Sequence, residues 1–465
     1  MREGGLEAPR RHPVAWKEDD FWDEAKLDAE LRRVYDICHG CRRCFNLCES
    51  FPRLFDLIDA TASGEMEDVS SQDFPSIEKA CTLCDMCYQA TCPYVPPHEF
   101  NLDFPHLMLR ARAVRRKKEG SPWAEVQLTQ TDRNGAMARL APEIANWLTD
   151  TRNQPARVAL EKVAQVDRRA ALPQYHGKTL VMQARENPPV VNAKAPAYGK
   201  RKAVVYATCF SNYNNPAIGM AALAVLAHCG VETEVVYPRC CGMPQLEQGD
   251  LGGVNKHAAT VAEALSPWID KGYDVIALVP SCALMLKSEW PLLVPTDAPH
   301  RALVQKLATA SYDISEYVIS LAKREGVPDQ LKVLEGGITL HIACHARAQN
   351  IGLKAAEMLR LIPGQAVKVI ERCSGHGGSW GVLKENFDSA LKVGKPVMRQ
   401  AAQEKSAYLA SECPLAGAHI AQGMELMAQQ VVVSQSGALC DPAAVTPQSR
   451  HPIELMALAY GLENT

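Results

Sequence analysis

The sequence has no long apolar run, no strong net charge and no nucleotide-binding fingerprint, and each absence excludes something. Its best apolar stretch, residues 217–230, is broken at His228. It falls short of the ~18 residues that a membrane-spanning helix requires. The opening residues MREGGLEAPRRHPVAWKEDDFWDE lack the apolar core of a secretory signal. Lys and Arg number 50 against 53 Asp and Glu, a net charge of −3. Without a basic excess there is no electrostatic footprint for nucleic acid. Gly249, Gly252 and Gly253 do not form G-x-G-x-x-G after a strand. Any flavin or nicotinamide chemistry is therefore expected from a partner. The expected location is the cytoplasm, with peripheral attachment to the inner face of its membrane left open.

What the chain does have is a globular composition, 47% hydrophobic and 22% charged, and 17 cysteines. Its 465 residues suggest about three domains at ~150 residues each. In a reducing compartment clustered cysteines mean metal or redox chemistry rather than disulfides. Eight of them form two tight runs: Cys38, Cys41, Cys44, Cys48 and Cys81, Cys84, Cys87, Cys92, the last followed by Pro93. Three cysteines at x2 spacing wrap a loop around three corners of an iron–sulfur cube, and a remote fourth closes it. In two-cluster ferredoxins the fourth cysteine of each run serves the other cluster. The expected sets are Cys38, Cys41, Cys44 with Cys92, and Cys81, Cys84, Cys87 with Cys48. Structural zinc needs only four ligands and favours paired C-x2-C, so two 4Fe–4S clusters are the stronger reading. Leu54, Leu57 and Ile58, between the runs, have helical spacing, which predicts a helical ferredoxin domain.

Around this stretch the expected organisation is multidomain α+β. Residues 1–30 read as an N-terminal arm, and 31–105 as the helical ferredoxin domain, entered by a helix with Leu27, Leu31 and Val34 on one face. Residues 106–200 read as a helical connector with a Pro-rich linker at 176–200. Its basic stretch, Arg110, Arg112, Arg115, Arg116, Lys117 and Lys118, suits either a solvated helix face or a dock for an acidic partner or anionic lipid. From 201 strands and helices alternate: strands at 202–208, 233–237 and 273–280, then at 337–343, 365–370 and 406–411. Such alternation implies parallel sheets with right-handed crossovers, in two repeated α/β lobes, 201–330 and 331–465. Cysteines mark the repeat. Cys209, Cys240 and Cys282 follow the strands of the first lobe, and Cys344, Cys373 and Cys413 those of the second, offset by 135, 133 and 131 residues. That places them on the carboxyl edge of each sheet, where open parallel sheets bind ligands.

The motifs RCCGMP (239–244), HIACHARAQNIG (341–352), ERCSGHGGSWG (371–381), SECPLAG (411–417), HPIELMALAYGL (451–462) and CPYVPPHEF (92–100) resemble the CCG-domain iron–sulfur oxidoreductases. That group includes the CCG-bearing subunit of heterodisulfide reductase and, more closely, the iron–sulfur subunit of anaerobic glycerol-3-phosphate dehydrogenase. The resemblance spans about 35–465. It implies an electron-transfer subunit with a two-cluster ferredoxin domain and two cysteine-rich lobes, carrying electrons from a flavin-containing dehydrogenase, or another redox partner protein, towards quinone in a membrane-associated complex. A full motif of heterodisulfide reductase has five cysteines. Here the first lobe has four, Cys209, Cys240, Cys241 and Cys282, with Val279 and Met285 where a further one could sit. The second lobe has Cys344, Cys373 and Cys413, with Ser374 replacing the second cysteine of the pair. Lobe one has thiolates for a further iron–sulfur cluster. Lobe two lacks a fourth ligand unless His345, His376 or an exogenous group supplies it.

His376, set among Gly375, Gly377, Gly378 and Gly381, suits a metal ligand or a catalytic proton carrier, or an idle loop histidine. His345 is expected to point away from its neighbouring ligand. Cys229 reads as core, and Cys440 has no evident partner. Three functions follow in order: an electron-transfer subunit, a disulfide- or peroxide-linked reductase acting at the second lobe, and a zinc scaffold.

Overall fold

A computed structural model describes residues 7–435 and 447–462; Cys440 lies outside them. Leu27, Leu31, Val34 and Tyr35 fall on one face of a helix over Glu24–Cys41 and are buried. The helix starts where Asp23 caps the Lys26 N–H. It runs through Cys38 to Cys41 and stops at Arg42, whose φ of 52° ends the helical path. A second helix, Ser50–Asp59, buries Phe51, Leu54, Phe55 and Ile58 and separates the two cysteine runs. The N-terminal unit is therefore helical.

Two four-stranded parallel sheets follow, with the same strand order. The first has β1 (Lys202–Tyr206), β2 (Glu232–Val236), β3 (Asp274–Ala277) and β4 (Ser311–Asp313) in the order β2-β1-β3-β4. The second has β5 (Ile338–His341), β6 (Val367–Ile370), β7 (Tyr408–Ser411) and β8 (Ser449–Arg450) in the order β6-β5-β7-β8. Helices on both faces bury β1 and β5, so even Thr339 and His341 of β5 lie inside. The reversal beside each central strand opens a crevice at the carboxyl edge. Cys209, Cys240 and Cys282 come after β1, β2 and β3, and Cys344, Cys373 and Cys413 after β5, β6 and β7. The lobes pack directly: the helix Pro280–Leu284, holding Cys282, lies on Cys344–Ala348, and Pro216–His228 lies on Pro452–Tyr460.

Several expectations need correction. Each sheet has a fourth strand, and β4 and β8 are too short, three and two residues, to leave an alternating pattern. The 176–200 linker contains a helix, Leu180–Glu186, whose Leu180 is fully buried. The helix expected near 347–361 is two, Cys344–Ala348 and Lys354–Leu359. Much of the basic stretch is engaged within the protein, while Lys117 and Lys118 are exposed. Arg110 donates to the carbonyls of Asp20 and Phe21, Lys117 sits over Trp22, and Lys118 pairs with Glu24. Arg112 and Arg115 share Glu78, and Arg116 meets Asp250. Among the described residues no helix is long and apolar enough to cross a membrane.

Candidate iron–sulfur sites

The structure brings the cysteines into four groups. Cys38, Cys41, Cys44 and Cys92 line one small cavity with Ile37, Phe51, Tyr94 and Leu102. Burial, then repulsion from Cys92, Cys44 and Cys41, pushes the Cys38 thiol well up; burial and Cys92 push Cys44 to about 12. In the second group Cys48 faces Cys84 and Cys81. Burial takes Cys81 to about 11, with Arg112 opposing, and Cys84 to about 12. Cys87 feels Cys84 and Cys81 from its own run, and Cys44 and Cys48 from the first. Leu83 and Asp85, between these ligands, have φ of 50° and 64°, a conformation costly for side-chain-bearing residues and concentrated at functional sites. Thiols crowded and buried this way resist ionisation until a metal supplies positive charge. The donor sets therefore fit iron–sulfur clusters.

In the first lobe the Cys240 and Cys209 sulfurs are 3.7 Å apart, and Cys241 faces Cys240 and Cys282. Cys240 is pushed well down by hydrogen bonds, first from Cys209, then from Cys241, with the Gly242 N–H adding to them. The loop is held by its carbonyls: His257 Nδ1 meets Cys240 O at 2.8 Å, Trp290 donates to Cys241 O at 3.2 Å, and the Tyr206 hydroxyl donates to Arg239 O at 2.6 Å. Val279 and Met285 are buried beside it.

In the second lobe Cys344 faces Cys84, Cys373 and Cys413, so this group abuts the N-terminal unit. Cys373 is exposed and Ser374 buried. Neither histidine points into the group. His345 begins the helix after β5 rather than prolonging the strand, and its Nε2 reaches the Leu83 carbonyl at 3.3 Å. His376 lies against His419, ring centroids 5.9 Å apart, its buried Nε2 unpartnered. Burial, then His419, lowers it to about 3, leaving an uncharged imidazole at neutral pH. The glycines around it serve protein packing. A Cβ on Gly377 would lie 2.6 Å from Thr82 Cγ2, and one on Gly378 2.3 Å from Glu247 Oε1. Cys229 is buried core.

Sequence reasoning missed the connector's part. Asp132 accepts the Cys240 N–H at 3.1 and 3.2 Å and the Tyr237 hydroxyl, and Gln245 donates to Thr129 O at 2.9 Å. It also missed Arg11. Its guanidinium meets Asp85 at 2.6 Å, Asp103 at 2.9 Å and Glu289 at 3.0 Å, joining the arm, the second cysteine run and the first lobe.

The family description CCG, a cysteine-rich domain, matches residues 203–287 and 338–421. The chain has two CCG cysteine-rich domains. The two matches start 135 residues apart, the offset between Cys209 and Cys344, and enclose the seven lobe cysteines. Relatives include the C subunit of anaerobic glycerol-3-phosphate dehydrogenase of Escherichia coli (strain K12), 28% identical over 62% of this chain and 69% of that one. Lactate utilization protein A of Bacillus cytotoxicus is 28% identical over 42% of this chain and 83% of its own, and that of Bacillus cereus (strain G9842) 26% over the same shares. The resemblance drawn from the motifs is borne out.

Proposed function

We propose that the chain is an iron–sulfur electron-transfer subunit of an oxidoreductase, receiving electrons from a flavin-containing dehydrogenase or another redox partner and passing them to quinone or another acceptor. The supporting observation is that the four cysteine groups are electrostatically linked in series: Cys87 feels both N-terminal runs, Cys344 feels Cys84 and Cys373, and Cys413 feels Cys282, while the helices carrying Cys282 and Cys344 pack on each other. Cys38, Cys41, Cys44 and Cys92 would hold one 4Fe–4S cluster, and Cys81, Cys84, Cys87 and Cys48 another, making 31–105 a ferredoxin domain. Cys209, Cys240, Cys241 and Cys282 would hold a third. Bound there, such clusters supply one-electron transfer at a potential set by burial and hydrogen bonds to sulfur.

Met137, at the end of the helix Thr131–Ala138, and Ile144, Trp147 and Leu148, on the next helix, Pro142–Thr149, are exposed, and exposed apolar residues of this kind suit protein docking. The test is metal analysis of anaerobically purified protein. At least about eight irons with matching sulfide are expected from the N-terminal pair, plus further iron lost in Cys240→Ser. Stoichiometric zinc without sulfide would overturn the reading.

The exposure of Cys373 in a group short of one thiolate favours a second reading, a reductase of small disulfides or peroxides at lobe two. Thiol release from a disulfide by reduced protein, lost in Cys373→Ser, would establish it.

A further inference from the structure

Thr131 belongs to the connector, outside both CCG domains, and heads the helix Thr131–Ala138. A threonine there ordinarily satisfies its hydroxyl by capping nearby backbone N–H groups, but this helix has no side-chain cap at Gln130. Instead the Thr131 hydroxyl is buried without a hydrogen-bond partner. It lies near sulfur: it pulls both the Cys209 and Cys240 thiols downward, and its neighbour Asp132 accepts the Cys240 N–H at 3.1 Å. A buried hydroxyl left unsatisfied is costly, so its persistence asks for an acceptor. Its placement is not accidental. Asp132, the next residue, is fixed by the Cys240 N–H and the Tyr237 hydroxyl, and Thr129 by Gln245. These contacts set the register of the helix against the CCG loop.

We propose that Thr131 is a positioning residue of the first-lobe centre, donating its hydroxyl hydrogen to the thiolate sulfur of Cys209 or Cys240 and thereby raising the potential of the cluster they hold. The proposal rests on the reading of lobe one as a cluster site. A donor aimed at a ligand sulfur stabilises the more negative, reduced state. The hydroxyl keeps its proton throughout, and the electron comes from the same external donor as in the relay. Because the donor sits on the connector, any movement of the helix 131–138 moves the potential, which ties lobe one to the exposed apolar residues Met137 and Leu140 at the far end of the same segment.

The test is a redox titration of the intact chain followed by electron paramagnetic resonance, with iron measured on the same samples. Thr131→Val keeps the shape and removes the donor. The expected result is a more negative midpoint for the signal that Cys240→Ser abolishes, with iron content and the N-terminal signals unchanged. Thr131→Ser, which restores the hydroxyl, is expected to return the midpoint to the wild-type value. An unchanged midpoint in Thr131→Val, with the lobe-one signal present, overturns the proposal alone. No iron beyond the N-terminal pair in the wild type overturns the reading of lobe one and the proposal with it. Should Thr131→Val fail to fold, Thr131→Ala and Thr131→Ser are compared, and equal midpoints again overturn it.

Discussion

Arg11 shows how much one side chain can hold. Its guanidinium is buried, which by itself disfavours the charge, yet Asp85, Asp103 and Glu289 keep it charged, and it also stacks on Tyr88 at 4.5 Å. Removing one partner of a buried ion pair leaves uncompensated charge and costs about 3–5 kcal/mol. Arg11→Ala is therefore expected to lower unfolding free energy by that order in denaturant titrations. Arg11→Lys is expected to recover only part, since an ammonium cannot reproduce the fork on three carboxylates. Glu247 titrates for a different reason. Burial lifts its carboxyl from 4.5 to about 7, partly opposed by Arg112 and the Ser379 N–H. A carboxyl raised on folding stabilises the fold below its unfolded pKa and loses that contribution as pH rises through the folded one. Glu247→Gln is thus expected to match the wild type near pH 4.5 and to become relatively more stable up to about pH 7, with a constant difference beyond, in unfolding curves collected across that range. Neither residue was legible in the sequence. Arg11 is an arginine in a charged arm, and Glu247 a glutamate at a helix end; what distinguishes them is contact with residues far away in the chain.

At the scale of elements, legibility followed the range of the interaction that makes the element. Cysteine runs were readable because their spacing, three residues apart, is a local pattern. β1 and β3 were readable because strands buried on both faces are rich in apolar residues. The carboxyl-edge placement of six cysteines followed from strand order alone. By contrast, β4 and β8 exist through their pairing with β3 and β7, and the helix 131–138 owes its role to the loop it touches. The glycine loop 375–381 was visible, but its purpose was not. It lets lobe two press against Thr82 and Glu247. Gly378 has φ of +64° and no room for a Cβ, whereas Gly64 has φ of +71° and open space. Gly64→Ala is expected to cost only the left-handed backbone term, about 1–2 kcal/mol. Gly378→Ala should cost more and should loosen the loop that presents Cys373, detectable as faster alkylation of that thiol.

For the whole molecule, the domain divisions suggested by composition do not match the way apolar surface is buried. One core includes Leu31, Tyr35, Phe51 and Ile58 of the N-terminal unit, Leu107 and Met108 of the connector, and Val204, Leu246, Trp290 and Leu307 of the first lobe. A second joins Val205, Ile218 and Val318 of lobe one to Leu340, Met358 and Met456 of lobe two. The arm closes the first junction, with Val14 N–H bonded to Leu292 O and the Trp16 indole to Leu293 O at 2.7 Å. His345 and Arg112 close others, each holding a carbonyl of the second cysteine run, those of Leu83 and Cys81. A relay through these groups would need fixed separations between them, and a shared core would provide them where a flexible tether could not. The consequence is that residues 31–105, although they hold eight cysteines in a ferredoxin-like spacing, are not expected to separate as a stable unit. Detaching them would expose the faces of Leu31, Phe51 and Leu107 and leave Asp85 and Glu289 without Arg11. Limited proteolysis of the anaerobic, iron-loaded chain should therefore trim its surface segments without releasing an N-terminal fragment that keeps its iron. Thermal unfolding should likewise remove the N-terminal and lobe-one signals together. Recovery of an iron-bearing fragment ending near residue 105 would show that the N-terminal unit stands on its own and that the shared core is dispensable.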